Sequence, residues 1–186
     1  MKFDEALAHL KAGLLIGVPT DTVYGIAADP WSEAGVGALY DLKGRNPGHP
    51  IALLVADVEQ AAEVCIITGP ARSLAERFWP GPLTIIMEAA GVPAWIGDQV
   101  RGTVGVRVPH HPVALELLQK SGALAVTSAN RTGGEPALDH TRALSVFGDA
   151  VAGYLPGGSA AGLASTVVDV TSDPPEVLRP GPIVIE

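Results

Sequence analysis

Four cations and a small set of hydroxyl and amide side chains carry the chemistry this sequence can do. Lys43-Gly44-Arg45 sets two cations two residues apart. Arginine offers a planar fork to two oxygens and lysine a mobile point charge, so the pair suits phosphate oxygens. At a helix end the same pair would complement the C-terminal dipole. Arg107 lies inside the apolar run Val104-Gly105-Val106-Arg107-Val108-Pro109. A cation there needs a partner, either an anionic ligand or an internal aspartate. Thr20, Asp21 and Thr22 follow one apolar run, Ser128 and Asn130 follow another, and Ser165 and Arg179 flank the last two. Thr, Ser and Asn at such places also make ordinary turns and helix caps.

Other chemistries are poorly represented. Ser128 has no evident histidine base, which argues against nucleophilic catalysis. His110 and His111 are adjacent, so they point different ways, and no third ligand stands at metal spacing. Gly-x4-Gly-Lys-Ser/Thr is absent, and no Gly-x-Gly-x-x-Gly follows the first strand. Gly157-Gly158-Ser159-Ala160-Ala161-Gly162 is glycine-rich without matching either pattern and reads as a loop, with a lid as its functional reading. An enzyme built from these parts would work by positioning and electrostatics.

The elements that position these residues follow from composition and pattern. The chain has 186 residues, 47% hydrophobic and 17% charged, enough for one folded domain over residues 1–186. Its 22 glycines and 16 prolines indicate many turns without a collagen period. A net charge of −8 with only 12 Lys and Arg disfavours a broad nucleic-acid surface. The single cysteine, Cys65, reads as a small buried hydrophobe. No signal peptide and no membrane-spanning run are expected, so the expected location is cytoplasmic.

Strands are predicted at 14–18, 51–55, 83–87, 104–108, 123–127, 151–155, 166–170 and 176–178. Helices are predicted from Asp4 to Gly13, from Ser32 to about Lys43, from Asp57 to about Val64, and over 70–78, 112–119 and 141–147. This alternation is α/β, and consecutive late strands make the sheet mixed. The polar residues above then sit at strand ends, where open α/β sheets bind ligands.

Taken together, the motifs resemble the threonylcarbamoyl-AMP synthase family (Sua5/YrdC/TsaC) over nearly the whole chain. Its landmarks occur in order: Pro19 to Gly25, Leu42 to Arg45 with Pro50, Trp79 to Thr84, Val104 to Pro109, Thr127 to Asn130, Ser165 to Asp169, and Leu178 to Gly181. Each is short, but the ordered set is specific and contains the family's Lys-x-Arg and Ser-x-Asn signature. The resemblance implies a twisted, open, mixed α/β sheet with flanking helices around a concave basic cavity. It also implies condensation of L-threonine, bicarbonate or CO2, and ATP into threonylcarbamoyl-AMP and pyrophosphate, for modification of adenosine 37 in tRNAs.

Residue by residue, the resemblance implies that Lys43, Arg45, Ser128 and Asn130 are catalytic and hold the ATP phosphates. Thr103, Arg179 and His49 match nucleotide positions. His49 stands where the family more often has Asn or Lys, which would make its contact pH-dependent. Thr22, Arg107 and Ser165 match threonine-binding positions, with Thr20 and Tyr24 on the same wall and Arg107 taking the substrate carboxylate in a bidentate pair. Leu54 replaces a histidine of archaeal-type members, and no role passes to it. Mg2+ is expected on the ATP phosphates, with no metal-binding residue in the protein. The chain resembles the short TsaC type, without the C-terminal Sua5 domain, which implies separate transferase proteins, a weak tRNA contact at most, and a monomer or homodimer. Two other readings stand beside it, an RNA-binding module and a carbamoyl-adenylate maturation domain that uses carbamoyl phosphate.

Overall fold

Short apolar strands with small side chains set this architecture, and a computed structural model describes residues 1–46 and 48–185. The strands are β1 (Ile16–Val18), β2 (Gly25–Ala28), β3 (Ala52–Leu54), β4 (Leu83–Glu88), β5 (Thr103–Arg107), β6 (Leu124–Ser128), β7 (Gly153–Tyr154), β8 (Thr166–Asp169) and β9 (Glu176–Arg179). They form one sheet in the order β7-β1-β2-β6-β3-β5-β4-β8-β9. Three pairs are parallel, β1 with β7, β3 with β5 and β4 with β8, and the other five are antiparallel. The sheet is mixed, as expected.

The helices are α1 (Phe3–Lys11), α2 (Glu33–Lys43), α3 (Val58–Ala61), α4 (Gly69–Phe78), α5 (Pro112–Ser121) and α6 (His140–Phe147). Their starts are chemically marked. Ser32 Oγ accepts from Gly35 N–H at 3.1 Å, and Asp57 and Asp139 cap α3 and α6 in the same way. Gly44 ends α2 at φ 59°, a left-handed conformation that glycine adopts without strain. The expected Asp4 cap is not observed. Lys2 occupies that place, and its backbone N–H is held by the Glu5 carboxylate at 2.9 Å.

Side chains alternate across the sheet with period two. Leu53, Ile85, Met87, Val104, Val106 and Ala125 enter the main core beneath α2, α3, α4 and α6. On the opposite face, α1 and α5 cover one end, burying Leu10, Ile16, Val18, Leu117, Leu118 and Leu124 with Leu54. Among the described residues, no helix covers the rest of that face. Thr84, Ile86, Thr103, Gly105, Arg107, Ala52 and Ser128 there line a cavity instead.

Candidate active site

The cavity has a volume of about 450 Å³, within the range of small-molecule sites. Thr20, Thr22, Arg45, Thr103, Arg107, Ser128, Ser165 and Arg179 all line it, so residues far apart in sequence converge. Lys43 and Asn130 stand behind Ser128 rather than on the lining.

The end of α2 meets the end of β6 through Lys43, only 5% exposed. Its Nζ donates to the Ser128 carbonyl at 2.7 Å and to Asn130 Oδ1 at 2.9 Å. Ser128 Oγ also donates to Asn130 Oδ1, at 2.6 Å, and the Asn130 amide donates to the carbonyls of Arg131 and Gly134. Every polar atom of the asparagine side chain is therefore fixed. Burial, reinforced by the nearby Arg45 charge, pulls the Lys43 ammonium down to about 8.

Arg45 is held by backbone carbonyls, its Nε donating to His49 O at 2.8 Å and its Nη2 to Pro50 O at 2.9 Å. The His49 side chain is exposed and absent from the cavity lining. Its structural contact with the site is its carbonyl, which receives Arg45 Nε.

Arg107 donates from Nε to Gly81 O at 3.0 Å, from Nη1 to Thr22 Oγ1 at 2.8 Å, and from Nη2 to Asp21 Oδ1. Of the two partners its sequence context allowed, the structure supplies the internal aspartate. Burial pulls its pKa down while Asp21 opposes the shift. Thr20 and Thr22 share a hydrogen bond of 3.1 Å, and Thr20 Oγ1 donates to Val23 O at 2.6 Å. Ser165 Oγ lies 2.8 Å from Thr84 Oγ1 and accepts from Arg179 Nη2 at 3.0 Å. The Arg179 pKa is lowered, by burial first and then by the Arg45 charge. Two cations on one cavity lining suit an anionic ligand.

Tyr24 does not stand on this wall, contrary to expectation. It is fully buried, and its hydroxyl donates to Leu155 O at 2.7 Å. Strand alternation explains the difference, since β2 begins at Gly25 and turns the neighbouring ring away from the cavity. The glycine-rich loop is tied down at Ala160 N–H to Leu138 O, Ala161 N–H to Asp21 O and Gly162 N–H to Thr22 O.

Sequence reasoning missed Thr84, Asp98, Arg101 and Thr127, all of which line the cavity. Arg101 is a fifth cation of the site, paired with Asp169. It sits in a turn with no motif around it, so charge was its one available signal. Among the described residues there is no group of three or more His, Cys, Asp or Glu able to hold a metal ion. Among them, too, no helix is long and apolar enough to cross a membrane.

A family model for Sua5, YciO and YrdC proteins, described as "Telomere recombination", matches residues 8–181. The chain belongs to the Sua5/YciO/YrdC family. A Mycobacterium tuberculosis member is 44% identical over 184 residues, which is 97% of this chain and 84% of the relative. The threonylcarbamoyl-AMP synthase of Pyrococcus abyssi is 35% identical over 97% of this chain and 54% of its own length. The crystal structure of P. abyssi Sua5 complexed with L-threonine superposes with a TM-score of 0.91 at 35% identity, covering 96% of this chain and 54% of that one. The chain thus spans about half the length of Sua5. Escherichia coli YciO has a TM-score of 0.90 at 25% identity, covering 97% of this chain and 89% of YciO. These matches agree with the expected family and with the expected mixed-sheet α/β fold.

Proposed function

We propose that the chain is a threonylcarbamoyl-AMP synthase, condensing L-threonine, bicarbonate or CO2, and ATP into threonylcarbamoyl-AMP and pyrophosphate. The observation that carries this reading is electrostatic. A chain of net charge −8 directs Arg45, Arg101, Arg107 and Arg179 into one cavity, with Lys43 immediately behind it. ATP, a carboxylate and a carbamate are all anions, and that cavity is built to collect anions. The names of the P. abyssi and Bacillus subtilis relatives, both threonylcarbamoyl-AMP synthase, support the same reading. So does the L-threonine bound in the P. abyssi Sua5 complex.

In this mechanism Arg107, anchored on all three of its nitrogens, takes the threonine carboxylate from the Thr22 side of the cavity. Arg45 and Arg179 receive the triphosphate, and the Lys43–Ser128–Asn130 network fixes its far wall. The carbamate formed on the threonine amine attacks the α-phosphorus through oxygen. The bond to the β-phosphate oxygen breaks, and pyrophosphate leaves with that electron pair. Carbamate oxygen is already anionic, so this step needs no side-chain base. The rate advantage comes from alignment and from fixed positive charge near the departing oxygens. Thr103, at the start of β5, borders the nucleotide side in this arrangement.

Mg2+ fits this site through the nucleotide. Among the described residues Asp98 is the one carboxylate on the cavity lining, and its Oδ1 already accepts from the N–H groups of Val100 and Arg101. The ion would therefore enter on the ATP phosphates, where it shields their charge. Handing the product to a separate transferase is consistent with a net charge of −8, which disfavours broad contact with tRNA.

The test is pyrophosphate release from the purified chain with each substrate omitted in turn. Release should require both threonine and bicarbonate. Release that ignores threonine, or no release at all, would sink the proposal. Release on carbamoyl phosphate instead would move the chain to the carbamoyl-adenylate class. A salt-sensitive tRNA complex without adenylate formation would favour an RNA-binding module.

A further inference from the structure

Asp21 has no part in the reaction as described, yet it touches the residue that recognises the carboxylate. It is absent from the cavity lining, while Arg107 and Thr22 lie on it. The Asp21–Arg107 pair is nearly enclosed, with side chains 16% and 7% exposed. The same Asp21 oxygen that accepts from Arg107 also accepts from the His110 backbone N–H at 3.0 Å. Gly81 O and Thr22 Oγ1 hold the other two guanidinium nitrogens. Each of the three nitrogens thus has one protein acceptor, and the plane of the fork is determined. Five N–H groups less these three leave two, one on each terminal nitrogen.

We propose that Asp21 is a positioning residue for amino-acid recognition: from behind the cavity, it orients and charge-balances Arg107 so that the two remaining N–H groups meet the substrate carboxylate. The inference rests on the synthase reading and deepens it. An arginine buried without a counter-charge would be costly and would seek other acceptors. Arg179 adds to that cost, because its charge also acts on Arg107. Asp21 has a second tie, since its own carbonyl accepts from Ala161 N–H at 3.3 Å. The glycine-rich loop is therefore fastened to the same residue that sets the fork.

The role predicts a split between substrates. Asp21→Ala should raise the threonine KM at least about tenfold, the scale of a lost charge-assisted hydrogen bond. The ATP KM should stay within about twofold. Asp21→Asn keeps an acceptor oxygen for Arg107 and His110 and should raise the threonine KM less than Ala does. Wild-type pyrophosphate release that depends on threonine and bicarbonate is measured first. Its failure would remove the synthase reading, whereas an active wild type with an unaffected variant removes this inference alone. A threonine KM within twofold of wild type in Asp21→Ala, or an equal rise in both KM values, overturns it. If circular dichroism shows Asp21→Ala to be unfolded, Asp21→Asn decides. A rise above twofold confined to threonine supports the role, and any other result overturns it.

Discussion

Lys43 Nζ lies 2.9 Å from Asn130 Oδ1, joining the last residue of α2 to the turn after β6. Thr132 closes the same joint from the other side, its hydroxyl donating to the Lys43 carbonyl at 2.8 Å. The lysine is thus a strut as well as a charge. It holds the asparagine, and the serine two residues earlier, at the edge of the cavity. That explains why a Lys-x-Arg pair and a Ser-x-Asn pair, 85 residues apart, work as one unit.

Removing the strut should therefore damage more than electrostatics. Lys43→Ala leaves the half-buried Ser128 carbonyl and Asn130 Oδ1 short of a charged donor, though each keeps one neutral donor. Such losses are of order 1 kcal/mol each. We expect kcat/KM for pyrophosphate formation to fall by about two orders of magnitude, with a lowered melting temperature and an intact circular dichroism spectrum. Near-normal turnover would show that Ser128 and Asn130 hold their places unaided.

The same lysine predicts a pH profile. Burial brings its pKa to about 8, so in the free protein it loses its charge as pH rises through that value. Bound phosphates favour the charged form and push the pKa back up. kcat/KM for ATP, which reports the free protein, should decline above about pH 8, and kcat should hold to higher pH. Stability carries the opposite sign. The unfolded chain binds more protons than the native chain between about pH 8 and the ordinary lysine range, so the Lys43 contribution to stability rises with pH there. Urea titrations of wild type and Lys43→Met across that window measure the difference. Identical pH slopes in the two proteins would contradict the buried-lysine account.

Arg45 and His49 should separate cleanly. Arg45→Ala removes a cavity cation and should raise the ATP KM at least about tenfold, as expected for a charge-assisted phosphate contact. His49→Ala keeps the carbonyl that receives Arg45 Nε. Its ATP KM should remain within about twofold, with no change in pH profile. Steady-state kinetics on both variants decide whether the imidazole has any part.

Much of this was legible in the sequence because local chemistry decided it. Ser32, Asp57 and Gly44 delimit their helices by capping, and the structure places them at those points. Strand β2 was missed because Gly25-Ile26-Ala27-Ala28 has little β-branched character. Pairing with β1 and β6 on either side makes it a strand. Convergence of Arg107, Ser128, Ser165 and Arg179 was indicated by their places at strand ends and, together with Arg45, by the family resemblance, since no local pattern links residues over 100 positions apart. Arg101 lay outside every motif, and Thr84 closed the Trp79 to Thr84 landmark without being given a role. Tyr24 was misplaced because its motif neighbours face the cavity, while the side-chain direction at that position follows the backbone.

Tyr24 supplies the remaining test, because its environment is that of a structural residue. Its ring is fully buried, and burial pushes its hydroxyl pKa well above the ordinary value. The hydroxyl donates to Leu155 O, tying the β1–β2 region to the segment after β7. Tyr24→Phe retains the ring and deletes only that bond, leaving the carbonyl without this donor. The expected cost is about 1–2 kcal/mol of stability, read from the denaturant midpoint at unchanged m-value. The threonine KM should stay within about twofold, because nothing on the cavity wall is lost. A large rise in that KM with unchanged stability would put Tyr24 back on the threonine wall and require the start of β2 to turn differently.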